Sequence, residues 1–207
     1  HITKDGIRIY EPADFEGMAK AGALAASILD EVIPMVVPGQ TTAAIDAMIE
    51  KLCNDAGATS ATIGYKGYKH ASCISINHVV CHGIPSDKKL KDGDIVNIDV
   101  TVIVDGWYGD TSRMYVAGKL SRKAERLIQV THDALFVGID EVKPGNTFGD
   151  IGHAIQKYAE GFRMSVVRDF CGHGLGQVFH APPNVLHYGR AGTGAVLEEG
   201  MIFTIEP

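Results

Sequence analysis

The sequence predicts an α/β fold of the α+β kind, with one structural plan written twice along the chain, and three observations predict it. The segment Leu90-Lys91-Asp92-Gly93 leads into an apolar run ending at Asp99, and Leu197-Glu198-Glu199-Gly200 leads into a matching run ending at Glu206. The loop Val37-Pro38-Gly39-Gln40-Thr41 is matched by Lys143-Pro144-Gly145-Asn146-Thr147, each lying between two helix-like stretches. Both pairs are offset by about 106–107 residues, too long a period for a solenoid, which points to two pseudo-symmetric halves with a site between them. The expected organisation is one domain over residues 1–207, with halves of about 10–120 and 121–207.

The elements follow in order from their residues. A first helix is expected from Pro12 to about Met35, with Met18, Ala21, Ala25, Ile28, Leu29 and Val32 as its buried stripe at helical spacing. A second follows Thr41 and runs to Gly57. Asn97 to Val104 and Trp107 to Tyr115 are strand-like runs joined by Asp105-Gly106, a strong hairpin signal. A third helix starts at the natural N-cap Ser121, runs to about Val142, and carries Leu127, Val130, Ala134, Leu135 and Ile139 as its stripe. Thr147 with Asp150 has the pattern of a capping box, opening a fourth helix that runs to Gly161. The second half has no counterpart of the returning strand that follows Asp99, and the chain starts at His1. A fragment or trimmed chain, with C-terminal strands missing, is therefore the expectation.

The hairpin fixes where two carboxylates sit. With Asp105 and Gly106 as the turn, Val104 faces Trp107, Thr101 faces Asp110 and Asp99 faces Ser112. Asp99 and Asp110 are then diagonal neighbours on one face, roughly 7–8 Å apart at the backbone. Carboxylates this close repel, so one is protonated or a cation sits between them. Glu206 and the glycine-flanked imidazole of Cys171-Gly172-His173-Gly174-Leu175-Gly176 extend the set to a hard, oxygen-rich metal site.

Composition narrows the class. The hydrophobic share of 45% and charged share of 21% are those of an ordinary globular protein. No stretch reaches the roughly 18–20 apolar residues of a membrane span, and the first residues carry no signal-peptide core, so cytoplasm is the expected location. A net charge of -6 without a basic stripe argues against nucleic acid as the principal partner. Cys53, Cys73, Cys81 and Cys171 lack Cys-x-x-Cys spacing and are expected to be reduced thiols.

Val80-Cys81-His82-Gly83-Ile84-Pro85, Asp94 to Thr101, Gly109-Asp110-Thr111-Ser112, Gly172-His173-Gly174-Leu175-Gly176 and Phe203-Thr204-Ile205-Glu206-Pro207 together closely resemble type I methionine aminopeptidase, from about Tyr10 to the last residue. Only 32 residues separate His173 from Glu206, so the insertion of type II enzymes is absent and the pattern resembles the short bacterial form. The resemblance implies the pita-bread fold of the creatinase/aminopeptidase class, with curved antiparallel sheet, outer helices and a dinuclear metal centre. It implies Asp99, Asp110, His173 and Glu206 as metal ligands, Asp110 bridging, with a further bridging glutamate expected downstream of residue 207. It implies His82 and His180 beside the scissile peptide, and Tyr65, Tyr68, Cys73 and Phe179 around the methionine side chain, as substrate-binding residues. Glu206, His82 and His180 are the implied catalytic groups.

Carboxylates and imidazole without thiolate suit divalent manganese, iron, cobalt or zinc, and the resemblance implies two such ions. The implied activity is metal-dependent hydrolysis of N-terminal methionine from nascent proteins and peptides, with a small second residue preferred, by a monomer acting at the ribosome. Each residue also has a plainer reading: His173 as a satisfied buried histidine, His180 as a loop histidine, Cys73 and Cys81 as small hydrophobes, Tyr65 and Tyr68 as loop packing. His132, His153 and His187 have no motif support and read as surface or packing residues. A proline-specific peptidase of the same fold and a non-catalytic pita-bread binding protein are the alternatives.

Overall fold

The computed structural model describes all residues from His1 to Pro207. The chain forms two compact units, Glu16–Glu125 and the combination of His1–Phe15 with Arg126–Pro207.

In the first unit, α1 (Asp14–Glu31) ends in a short 3-10 turn, Ile33–Met35, where Pro34 cannot donate to the preceding turn. Thr41 caps α2 (Thr42–Asp55) by accepting the Ala44 N–H at 3.2 Å. A four-stranded antiparallel arrangement is built on β3 (Asp94–Val104), which pairs with β1 (Thr59–Ser60), β2 (Ser72–Ile76) and β4 (Trp107–Ala117). The register of β3 on β4 is the one the turn dictates: Val104 pairs with Trp107, Thr101 with Asp110 and Asp99 with Ser112. Asp105 and Gly106 both take positive φ, 50° and 84°, which is what a two-residue hairpin of the right twist requires. Alternation then sorts the faces of β3. Val96, Ile98, Val100 and Val102 enter one core with Ala25, Ile28, Leu29, Ile45 and Ile49 from the helices, each fully buried Val, Leu or Ile contributing about 1.5–3 kcal/mol. Asn97, Asp99 and Thr101 occupy the other face.

The second unit holds α3 (Arg122–Asp140, from Arg126 onward), α4 (Phe148–Gly161), β5 (Gly172–Gly174) and β6 (Ala181–Val185). Thr147 and Asp150 form the full reciprocal capping box of α4. The core here gathers Ile7, Ala134, Phe148, Ile151, Ile155, Val185 and Leu197. The stripe of α3 differs from the one expected. Val130, Ala134 and Gly138 are buried, whereas Leu127 and Ile139 are 45% and 41% exposed. Gly138 explains the shift, because a Cβ there would press into Ile155, so α4 packs against the small-residue side of α3.

The repeat is visible in identical backbone chemistry within each unit. Gly39 N–H donates to Leu90 C=O at 2.7 Å and Leu90 N–H to Gln40 C=O at 2.8 Å; Gly145 donates to Leu197 at 3.1 Å and Leu197 to Asn146 at 2.7 Å. Gly39 and Gly145 share a φ of 92°, open to glycine and strained for other residues. The copies diverge at the acid-ended runs. The first becomes β3, but Met201 to Glu206 makes only one isolated bridge, Phe203 to Gly174, and is not a strand. Its neighbour β5 is three residues long and its pairing with β6 shifts register at His173/Gly174, so little ladder is available.

Candidate functional site

In the first unit, β3 and β4 present Asp99 and Asp110 on one sheet face, both half-buried, at the diagonal positions given by the Thr101–Asp110 and Asp99–Ser112 pairs. β2 brings Cys73 directly opposite Asp99. Burial, opposed by the neighbouring Tyr68 hydroxyl and aided by the negative charge of Asp99, pushes the Cys73 thiol up to about 11. It is therefore a neutral thiol at physiological pH. The Tyr68 phenol is also held above its ordinary value, chiefly by burial, and its hydroxyl donates to Ser72 C=O at 2.8 Å. Tyr65 lies in the tight turn Tyr65–Gly67, entered through Gly64 at φ 85°. His82 is exposed at φ 55°, beside β2, where Gly83 accepts the Ile74 N–H at 2.8 Å and donates to Ser75 Oγ at 3.0 Å.

In the second unit, β5 carries His173 between two glycines that cannot be replaced cheaply. A Cβ on Gly172 would collide with the Thr204 carbonyl oxygen, and one on Gly174 with that of Pro182. The glycines give neighbouring backbone room to close on the imidazole. His173 Nδ1 lies 3.0 Å from Gly174 C=O, and a carbonyl only accepts, so Nδ1 carries the proton. In the neutral ring Nε2 then presents its lone pair, and it faces Glu206 Oε1 at 3.5 Å. The His180 ring lies 4.3 Å from that of His173 and stacks on Phe179 at 4.2 Å.

These donors fit divalent cations by their chemistry. A ring nitrogen 3.5 Å from a carboxylate oxygen, with the far ring nitrogen held at a backbone carbonyl, is the arrangement in which a histidine ligand is oriented toward a metal. Paired carboxylates on one sheet face have the same preference for an intervening positive charge. Within either unit taken by itself, no three such ligands converge.

Residues 16–207 match the family model described as metallopeptidase family M24. The chain is 56% identical over 201 residues to a methionine aminopeptidase of Rickettsia prowazekii, covering 97% of this chain and 78% of that protein. It belongs to metallopeptidase family M24, among the methionine aminopeptidases. The crystal structure of methionine aminopeptidase from Rickettsia prowazekii superimposes with a TM-score of 0.95 at 55% identity, covering 96% of this chain and 80% of that one. A prolidase from Pyrococcus furiosus, 23% identical, reaches a TM-score of 0.82 over 95% of this chain and 56% of its own length, a likeness of fold alone. The M24 chain thus has the pita-bread fold.

Two residues of this M24 chain bear on the site without having stood out in the sequence. Thr204 Oγ1 accepts the His173 N–H at 3.0 Å and donates to Glu206 Oε1 at 2.6 Å, tying both groups to one hydroxyl. His187, one of the histidines read as surface or packing, is 3% exposed, and its Nε2 accepts the Glu206 N–H at 3.0 Å. Burial lowers the His187 imidazole to about 4, so it stays neutral and able to accept. Its spacing from Glu206 carries no local signal; only the closing of the chain brings the two together. His132 and His153 are surface residues, against Phe136 and the Gly189 carbonyl respectively. The four cysteines are free thiols.

Proposed function

We propose that this chain hydrolyses the peptide bond after an N-terminal methionine, as the names of its relatives describe, and that residues 1–207 belong to one catalytic domain. The observation that carries the chemistry is His173, glycine-flanked, with Nδ1 pinned by a carbonyl and Nε2 turned to Glu206. Asp99, Asp110, His173 and Glu206 would hold two divalent metal ions. Bound there, the ions would supply Lewis acidity, polarising the scissile carbonyl and acidifying a water molecule.

The remaining work belongs to side chains. Glu206 accepts the proton released as water attacks, with its backbone held by His187 and its carboxylate by Thr204. His180 donates to the oxyanion that develops on the carbonyl oxygen. His82, at an exposed turn beside β2, orients the scissile amide and delivers a proton to the departing nitrogen. Tyr65, Tyr68, Cys73 and Phe179 receive the methionine side chain, whose thioether packs well on ring edges and soft sulfur. Substrates are N-termini of nascent polypeptides, with a small second residue preferred. No helix is long and apolar enough to cross a membrane, and we place the reaction in the cytoplasm, at the ribosome, on a monomer.

Comparing Met-Ala-Ser with Ala-Pro-Ser, each with and without a chelator, tests this reading. Chelator-sensitive cleavage of the first peptide alone is expected. Preferential cleavage of the second would make the chain a proline-directed peptidase, and no cleavage of either would leave it a binding protein.

A further inference from the structure

The first unit contains a polar network that the reaction does not use. Asp46 lies on the core-facing side of α2, 6% exposed, among the residues that include Ile45 and Ile49. A carboxyl group so placed costs stability unless donors face it. Two do: Ser72 Oγ donates to Asp46 Oδ1 at 2.6 Å, and His70 Nδ1 lies 3.3 Å from Oδ2. Ser72 is completely buried, so its hydroxyl has no recourse to water.

Both partners sit at the end of one loop. Ser72 opens β2 directly before Cys73, and its carbonyl accepts the Tyr68 hydroxyl at 2.8 Å. The Tyr68 and His70 rings meet edge to face at 5.5 Å. Thr62 Oγ1 donates to His70 C=O at 2.7 Å and Gly64 N–H to Tyr68 C=O at 2.7 Å, closing the glycine-rich loop on itself. This loop includes φ values of 85°, 49° and 83° at Gly64, Lys66 and Gly67, and its residues Ile63, Gly64, Lys66, Gly67 and Lys69 are exposed. A nucleophilic role for Ser72 is excluded by connectivity: its hydroxyl donates to a carboxyl group, with no imidazole placed to take its proton.

We propose that Asp46, through Ser72 and His70, is a positioning residue that sets the spacing of Tyr65, Tyr68 and Cys73 and so determines selectivity for the first side chain of the substrate. The proposal rests on the reading of those three residues as the methionine pocket. It requires that loosening the network widens the choice of first residue and weakens binding while the chemistry at Asp99 and Asp110 is spared.

The test compares the wild-type full chain with Asp46→Asn, Ser72→Ala and His70→Gln on Met-Ala-Ser and Leu-Ala-Ser, reading kcat and KM separately, with metal content measured in parallel. For Asp46→Asn, KM for the methionyl peptide should rise about tenfold, the loss of roughly one charged hydrogen bond. Its kcat and metal content should stay near wild type, and the preference for methionine over leucine should narrow. Ser72→Ala should do the same, and the double variant should lose less than the sum of the two, since both break one link. His70 is half-exposed and outside the core, so His70→Gln carries the test should the buried variants fail to fold. KM and methionine preference unchanged in every folded variant would overturn the proposal, as would a fall in kcat alone. A wild-type chain that cleaves Leu-Ala-Ser as well as it cleaves Met-Ala-Ser would instead overturn the pocket reading beneath it.

Discussion

Thr204→Val removes one hydroxyl and almost nothing else, since both residues are β-branched and similar in volume. The hydroxyl makes a 3.0 Å bond from His173 N–H and a 2.6 Å bond to Glu206 Oε1. The first is a neutral bond at a half-buried strand, and its loss costs about 1 kcal/mol of stability, or about 2–4 °C in Tm for a chain of this size. The second contributes little to stability, because the Glu206 side chain is 44% exposed and water replaces the donor. Its effect is on orientation. A proton acceptor displaced by about 1 Å costs on the order of 10² in rate, so kcat/KM for Met-Ala-Ser should fall about 10–100-fold, far more than the stability change suggests. Thermal unfolding and steady-state kinetics on the same preparations check both halves. Thr204→Ser keeps the hydroxyl and should recover activity to within about threefold of wild type. Equal kcat/KM for the valine variant and wild type would refute the idea that this hydroxyl aims Glu206.

Other outcomes follow from the same geometry. His180→Ala should retain bound metal and lower kcat about 10²–10³-fold, more than it changes KM; loss of metal would make His180 a ligand instead. His187→Leu leaves the Glu206 N–H without its acceptor and should cost about 1–3 kcal/mol, whereas His187→Gln restores an acceptor and most of the loss, both read by denaturant unfolding. Thr147→Ala breaks the capping box of α4 and should cost about 1 kcal/mol. Its partner Asp150 is held below its ordinary carboxylate value by the Thr147 N–H and then by the Gly192 N–H. A depressed folded value means that its contribution is present above the unfolded value, about 3.9, and fades as pH falls through the folded one. Asp150→Asn should therefore flatten the acid limb of Tm against pH, and an unchanged limb would count against the linkage.

What was legible in the sequence was local. The Asp105-Gly106 turn dictated the register of β3 on β4 and so the shared face of Asp99 and Asp110. The paired Pro-Gly-x-Thr loops announced the repeat that the Gly39–Leu90 and Gly145–Leu197 bonds bear out. The Thr147–Asp150 cap needed only a three-residue spacing. What escaped depends on distant chain segments. Asp46 accepts the hydroxyl of Ser72, the first residue of β2, from 26 residues away. Thr204 reaches back 31 residues to His173, and His187 meets Glu206 across 19. One reading failed and another held only at Val130 and Ala134, both for tertiary reasons. Met201 to Glu206 has strand composition but too short a neighbouring ladder, and α3 rotates its stripe toward Gly138 because α4 needs the space.

The central claim is that Asp99, Asp110, His173 and Glu206 are donors for catalytic metal. Titrating manganese or cobalt into metal-free protein by calorimetry tests it most directly, comparing wild type with Asp110→Asn and His173→Ala after circular dichroism has established native folding. Tight, saturable binding by the wild type and a loss of at least tenfold in affinity for both variants is the expected result, with methionyl-peptide hydrolysis following the bound metal. Equal affinity in all three proteins, or full hydrolysis by the metal-free wild type, would contradict the account.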